Sequence, residues 1–441
     1  MKEKPLSSIK NKMNVDRFAD LFKAVENFEN RIEDKDFKKL FHNAFFNTIL
    51  TTVFFEEDGS AFVITGDIPA MWLRDSAAQV MQYLHFAKEC PSVRELVKAV
   101  LKKQFAFILT DVYANAFNRE ANGRGHTTDI PKNSPWVWER KFELDSLCYP
   151  LWLLTKYIKA AEDESVLDDL FLAAFDKVIS TFRTEQRHAT FSPYYHERVE
   201  RSREQWCGKG APVAENGLVW SGYRPSDDNC TYNYYIPGNM FICSVLEKLR
   251  PLFVKLGDAE REKKCADLSN EIRLAIDKVA AAKAPDGRMI YALETDGLGN
   301  HNVMDDANVP NLLSIPYFDY PFADKTLYEN TRAYMLSKSN PYYFEGKAIT
   351  GIGSPHTPDG YVWPLSLIVQ AMTSNDSEEI RRCVGAVDFA LKALLYEERN
   401  APAVVDVRMA QYHEIYLCGI KRKRFKVQRF RCLVSLKLAT V

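Results

Sequence analysis

The chain is predicted to fold as an all-α protein, a closed α/α toroid with long functional loops at one end. Three observations point there. Apolar residues recur at helical spacing in segments that come in pairs. Long loops rich in Trp, Tyr, Gly, Asn and Pro separate the pairs. Strand signal is confined to minor short pieces near 61–65 and 288–293. No internal repeat, low-complexity linker or composition break divides the 441 residues, so 1–441 is expected to form one catalytic-sized unit, with residues 1–14 flexible.

Taken in order, residues 15–50 carry Phe18, Leu21, Phe22, Val25 and Phe28 at helical spacing. Helices follow over 74–89 and 92–110, the second starting near the cap-like Ser92. A loop runs from Tyr113 to Arg140, and helices resume at 143–161 and 166–185. The segment Ser192–Asn239 is long, aromatic and poor in helix signals; in a compact chain such a stretch goes with function. Helices at 238–256 and 259–283 precede a polar region, Ala284–Pro310. Short helices at 310–316 and 325–337 lead to the loop Asn340–Gly360, and helices at 361–373 and 377–396 follow.

A hydrophobic content of 46% is ample for a large core, and a net charge of −1 offers no global field for nucleic acid or an anionic membrane. The 7 Trp, 21 Tyr and 27 Phe are unusual in standing beside Gly, Pro, Asn and Asp, as on a ligand surface. The 9 Cys are odd in number, form no CxxC pair and lie mostly in apolar helical patterns, which predicts reduced core thiols and no zinc site. The segment Met1–Ser7 lacks the apolar stretch of a signal peptide, and no run of 18 apolar residues occurs. The expected compartment is the cytoplasm. No Walker A, HExxH, GxSxG or dinucleotide motif occurs, so no cofactor is expected.

Chemistry-bearing residues gather in five places. Ile64–Ser76 begins as a strand, turns through Gly66-Asp67 and Pro69, and becomes helical from Trp72. Asp67, Trp72, Arg74 and Asp75 supply acceptors for hydroxyls, a forked donor and an apolar face, the needs of a sugar pocket. Loop one, Asn115–His126 and Trp136–Glu143, adds Asn, Arg and His in a Gly-rich setting, with Trp136 and Trp138 on one face of an extended segment. No second His or Cys stands near His126 at metal-ligand spacing. Loop two, Trp220–Tyr232, holds Arg224 and the doublet Asp227-Asp228; a carboxyl among aromatics is pushed toward its protonated form and suits a general acid. The bland alternative has one Asp capping a turn and the other binding Arg224. Loop three, Glu294–Asn308, repeats the doublet as Asp305-Asp306, and loop four, Asn340–Lys347 with Gly353–Thr357, offers Glu345, Lys347 and His356. Turn closure and ion pairing are the bland readings of both.

Seven motifs carry a resemblance: Gly66–Asp75, Asn122–His126, Trp136–Glu139, Arg224–Asp228, Met304–Pro310, Pro341–Lys347 and Gly353–Thr357. In this order, over roughly residues 40–375, the chain resembles the family 125 glycoside hydrolases, exo-α-1,6-mannosidases of bacteria and fungi. The resemblance implies an (α/α)6 barrel, no required metal, and inverting hydrolysis of terminal α-1,6-linked mannose from manno-oligosaccharides or N-glycan-derived chains. It implies a general acid at Asp227 or Asp228 and a general base in a His-Glu-Ser motif near the C-terminus, nearest here to His413-Glu414. It also implies that the terminal mannose is held by residues among Asp67, Met71, Trp72, Arg74, Asp75, Asn115, Arg124, Gly125, His126, Trp138, Glu139, Arg224, Asp305, Asp306, Asn308, Glu345, Lys347 and His356.

The last part departs from that pattern. Ile415-Tyr416 follows Glu414, the Gly-Thr-Gly run that precedes the base motif in the family is missing, and Lys421–Arg431 carries seven basic residues in eleven. Such a run can be a nucleic-acid patch or a solvated helix face. The abrupt end of the resemblance instead predicts a reading frame disturbed near residues 385–415, with 385–441 outside the family pattern. A non-catalytic mannoside-binding relative is the alternative that follows.

Overall fold

The computed structural model describes residues 12–33, 35–66, 68–198, 208–346, 349–356 and 360–400. It is rich in helix: α1 (Lys12–Arg17), α2 (Ala19–Glu29), α3 (Lys35–Thr51), α4 (Leu73–Met81), α5 (Pro91–Thr110), α6 (Leu144–Ala161), α7 (Asp169–Glu185), α8 (His188–Phe191), α9 (Ile236–Leu256), α10 (Ala259–Val279), α11 (Lys325–Met335), α12 (Pro364–Met372) and α13 (Ser377–Asn400). The helices pack as two layers. Helices α4, α6 and α9 contact one another in succession. Behind them α5 meets both α6 and α7, α10 lies on α9, and α13 lies on α12. Buried helices thus alternate along the chain with helices that keep one polar face. Helix α6 buries every residue from Leu144 to Leu154, whereas α10 buries only a stripe such as Cys265, Leu268, Ile272 and Ile276.

One apolar cluster runs from Phe18 to Val369. Aromatic edge-to-face pairs join its layers: Phe45 to Tyr83 at 5.1 Å, and Trp152 to both Phe241 and Tyr317 at 5.3 and 5.4 Å. The six described cysteines are buried and unbridged. Among the described residues no helix is long and apolar enough to cross a membrane.

Several boundaries differ from the sequence expectation, each for a local reason. The expected 15–50 helix is three helices, and α1 begins at Lys12; residues 1–11 lie outside the described set. Helix α5 starts at Pro91 rather than behind a Ser92 cap, because proline is suited to a first helical position. The Ser92 hydroxyl bonds Asp20 instead, tying α5 to α2. The expected helix 259–283 ends at Val279, and Ala281–Lys283 pairs with Met289–Tyr291. Residues 310–316 form turns, not a helix. There the Asp305 carboxylate accepts the N–H groups of Leu312 and Leu313, and Asn311 accepts that of Ser314, so side chains displace the helical ladder.

Short antiparallel ribbons lead into the buried helices. Met71–Trp72 precedes α4, Val137–Glu139 lies shortly before α6, and Tyr234–Tyr235 precedes α9. The first two flank Ala116–Phe117 in one three-stranded ribbon, and the third pairs with Glu294–Thr295. This brings the N-terminal ends of α4 and α6 together with loops one and two.

Candidate active site

At those helix ends lies a cavity of about 340 Å³. One wall is apolar and comes mainly from α12 and the residues before it: Trp363, Leu365, Ile368, Val369 and Met372. The rest of the lining carries Trp72, Arg74, Asp75, His126, Glu139, Lys141, Arg198, Asp227, Asn308 and His356. An indole, charged groups and apolar carbon around one small volume match both faces of a sugar ring.

Arg74 organises the floor. It stands in the first turn of α4, and its Nη1 donates to Glu143 Oε2 at 2.6 Å and to Asp145 Oδ2 at 3.1 Å. Its Nη2 lies 3.9 Å from Asp227 Oδ1 and its Nε lies 3.8 Å from Asp75 Oδ2. Four carboxyl groups around one guanidinium cannot all be compensated. Burial accordingly pushes Asp75 up to about 6, and burial raises Asp145 as well. Burial, together with the charges of Asp227 and Asp145, puts Glu143 well above the usual carboxylate range. Two oxygens on this floor, Asp75 Oδ2 and Asp145 Oδ1, are buried without a protein hydrogen-bond partner, as acceptors waiting for a hydroxyl would be.

Loop two is a tight hairpin. Asp227 N donates to the Arg224 carbonyl at 3.0 Å and Arg224 N to the Asp228 carbonyl at 2.8 Å. Asp227 has φ +64, the left-handed region that glycine or asparagine usually fills in such a turn. A strained backbone at a cavity wall marks a side chain held there for function. Lys141 holds it: its Nζ donates to the Asp227 carbonyl at 2.8 Å. Burial opposes ionisation of Asp227, but the charges of Lys141 and Arg74 outweigh it and hold the carboxyl below its usual range. Glu294, fully buried in the next ribbon, anchors the loop from behind. It accepts from Arg224 Nε at 2.5 Å, Thr231 N at 3.1 Å, Tyr232 N at 3.3 Å and Asn302 Nδ2 at 3.0 Å. The bland reading of the doublet therefore does not hold: the side chain of Arg224 binds Glu294, not an aspartate.

The second wall is a buried salt-bridge chain. Arg198 grips Asp129 through Nε and Nη2, both at 3.0 Å, and reaches Glu139 Oε1 at 2.7 Å. His196 bonds Asp129 on one ring nitrogen and the Tyr223 hydroxyl on the other. Burial works against the charge on Asp129, yet His196 and Arg198 keep it well below the usual range. His126 lies 3.5 Å from Glu139, and burial lowers its proton affinity. Gly125, at φ +120, lets this loop pass over Trp138, whose backbone a Cβ would strike.

The cavity unites Trp72, Arg74, Asp75, His126, Glu139, Asp227, Asn308 and His356 of the expected residues. Asn115 stands one layer behind, donating to Glu139 and Glu143. Trp138 packs near Trp72. Asp228 and Asp306 do not line the cavity; Asp306 accepts from Asn308 and burial pushes it up to about 6. Others stand away from the cavity. Met71 is core, Asp305 caps the 312–313 turn, Arg124 is exposed, and Glu345 pairs with Lys338 at 2.8 Å on the surface. Asp67, Lys347 and Glu414 lie outside the described residues. Trp136 is 40% exposed, with Val137 turned into the core between the two indoles.

Sequence reading missed Lys141, Glu143, Asp145 and Arg198. The first two had a signal: Glu139, Lys141 and Glu143 alternate, so an extended segment puts all three on one face. Asp145, in the first turn of α6, reads as an ordinary helix-start acid. Nothing in the sequence sets Arg198 apart from its neighbours in a helix-poor stretch.

Known proteins resemble this chain over most of its length. The family model for metal-independent α-mannosidases (GH125) matches residues 34–396. The meiotically up-regulated gene 157 protein of Schizosaccharomyces pombe is 35% identical over 392 residues, 81% of this chain and 75% of that one. A metal-independent α-mannosidase of Streptococcus pneumoniae, solved in a non-productive complex with α-1,6-mannobiose, is 39% identical. It superposes with a TM-score of 0.79 over 86% of this chain and 89% of its own.

Proposed function

The chain belongs to the metal-independent α-mannosidases of family GH125, and on that premise we propose that it releases terminal mannose from α-1,6-linked manno-oligosaccharides or N-glycan-derived chains, with inversion. The observation that carries this reading is Asp227: strained, clamped by Lys141, and set in the wall of the cavity beside Arg74. Asp227 is the proton donor to the glycosidic oxygen. Arg74, Asp75, His126, Asn308 and His356 hold the ring, and Trp72 meets its apolar side. Inversion needs a second carboxylate about 6.5–9.5 Å from the acid, activating water on the other ring face. Glu414 is the candidate for that role.

The alternation of buried and half-exposed helices supports an (α/α)6 barrel as the finer architecture, built as one domain. Six unbridged thiols support the cytoplasm as compartment; cell fractionation checks it.

The expected result is mannose release from α-1,6-mannobiose, with the β-anomer appearing first by NMR; α-mannose first would overturn inversion. Asp227→Asn should lower turnover by about a hundredfold or more, the range for a lost general acid. If Asp228→Asn does so and Asp227→Asn does not, the acid is Asp228. Glu414→Gln at full activity removes the base assignment. A second reading, a mannoside-binding protein without turnover, is favoured by one observation: the family match ends at residue 396, before Glu414. Calorimetry that detects mannobiose binding while no mannose is released would establish it.

A further inference from the structure

The lysine that clamps Asp227 is itself held in place. An ammonium is a point charge on a flexible stem, so a buried one stands where its surroundings put it. Lys141 is buried, and its Nζ donates to the Asp227 carbonyl at 2.8 Å. The same Nζ lies 3.7 Å from Glu139 Oε1 and over the face of Tyr223, 5.1 Å from the ring centre. Tyr223 is buried at the base of the loop-two hairpin, paired across it with Asn229. Its hydroxyl donates to His196 Nδ1 at 2.6 Å, and the two rings meet edge to face with centroids 5.5 Å apart. His196 is fully buried, and its Nε2 donates to Asp129 Oδ2 at 3.2 Å. Arg198 grips both oxygens of Asp129 and reaches Glu139, the carboxylate beside Lys141. The contacts thus close a loop from Lys141 through Tyr223, His196, Asp129, Arg198 and Glu139 back to Lys141.

We propose that Tyr223 and His196 are positioning residues for the catalytic acid: acting through Lys141, they hold Asp227 aimed at the glycosidic oxygen. This rests on the reading of Asp227 as donor. Neither Tyr223 nor His196 lines the cavity, so their effect on the reaction passes through the residues they touch.

Each link has a partner of the right kind. A carboxylate only accepts, so His196 turns an N–H toward Asp129, and Nδ1 is left to accept from the Tyr223 hydroxyl. That hydrogen bond fixes the tilt of the phenol ring, whose face in turn sets where the Lys141 ammonium can stand. The tilt matters because Asp227 sits at φ +64, a backbone that a non-glycine residue keeps only while its surroundings hold it there. Glu294 holds the opposite side of loop two through Arg224, so the two anchors divide the work. Glu294 fixes the root of the hairpin, and the Tyr223–His196 pair fixes the tip. With the hydroxyl gone, Lys141 loses its fixed seat, the Asp227 carbonyl loses its donor, and the carboxyl drifts from its line to the leaving oxygen.

The test compares α-1,6-mannobiose, which needs protonation of its leaving oxygen, with 2,4-dinitrophenyl α-mannoside, which does not. Asp227→Asn should lose about a hundredfold or more on mannobiose and less than about tenfold on the aryl mannoside. Equal losses there overturn the donor reading itself. With that split in place, Tyr223→Phe should lower kcat on mannobiose by about ten- to a hundredfold, the range for a displaced catalytic group, with KM little changed. Its turnover of the aryl mannoside should stay close to that of the parent. Equal losses on both substrates, or full activity on mannobiose, overturn the positioning role. Added to Asp227→Asn, the Tyr223→Phe change should cost nothing further on mannobiose, because the group it positions is already gone; a further loss overturns the proposal. His196→Gln keeps a donor for Asp129 but offers no acceptor where Nδ1 stood, and it should show the same split as Tyr223→Phe. Circular dichroism checks that the variants fold. If neither single variant folds, the pair is a scaffold and the proposal falls.

Discussion

At the scale of single residues, the site concentrates buried charge beyond what its cations compensate, and Asp75 shows the consequence. Its folded proton affinity stands near pH 6, above the ordinary carboxylate value of 3.8. Between about pH 4 and 6 the unfolded chain therefore gives up this proton before the folded chain does. Stability falls as pH rises through that window and then levels off. Asp75→Asn carries no such loss. It should match the parent at pH 4 and gain roughly 3 kcal/mol above pH 6. Urea unfolding at pH 4 and pH 8 checks this, and an equal difference at both values would refute it. The same substitution should lower mannoside turnover, since a hydroxyl acceptor is lost. Residue chemistry was legible where polar groups interrupt apolar patterning, as at Arg74, His126, Asp227 and His356. It was illegible at Arg198 and Asp145, whose importance comes from partners distant in the chain: Asp129 for the first, Arg74 for the second.

At the scale of elements, helices were legible because their apolar stripes are long, and their ends were not, because ends are decided by individual side-chain hydrogen bonds. Asp305 shows this, since its carboxylate takes two N–H groups that a 310–316 helix would use. Glu294 does the same for loop two. It accepts four hydrogen bonds in a fully buried position, one of them from Arg224. Removing one partner of a buried ion pair leaves the other charge uncompensated, at a typical cost of 3–5 kcal/mol. Glu294→Ala should therefore destabilise the chain by about 3–5 kcal/mol and lower turnover, although Glu294 does not line the cavity. A loss below about 1 kcal/mol, measured by denaturant unfolding, would mean that loop two does not depend on this anchor.

At the scale of the whole molecule, the cavity is built from segments spread from Thr65 to Met372, so occupying it joins distant parts of the chain. A ligand that binds only the folded state adds stability by mass action, about 2.7 kcal/mol at a hundredfold excess over Kd. α-1,6-Mannobiose should raise the Tm of the full chain, and maltose at the same concentration should not. Equal shifts with both sugars would point to unspecific effects on solvation. The helix-rich pattern with long intervening loops was legible because helical periodicity and loop composition recur along the chain. The way four carboxyl groups converge on Arg74 was not, since that depends on how the ends of α4 and α6 meet.

The left-handed backbone at Asp227 has an evolutionary corollary. Glycine or asparagine would sit in that conformation with less strain, so Asp227→Gly should fold at least as well as the parent. Both replacements are one base change away from an aspartate codon. A lineage screened only for thermal robustness would thus be free to drift at this codon, keeping its shape while falling silent on its substrate. Selection for heat resistance in the laboratory must therefore be paired with selection for turnover.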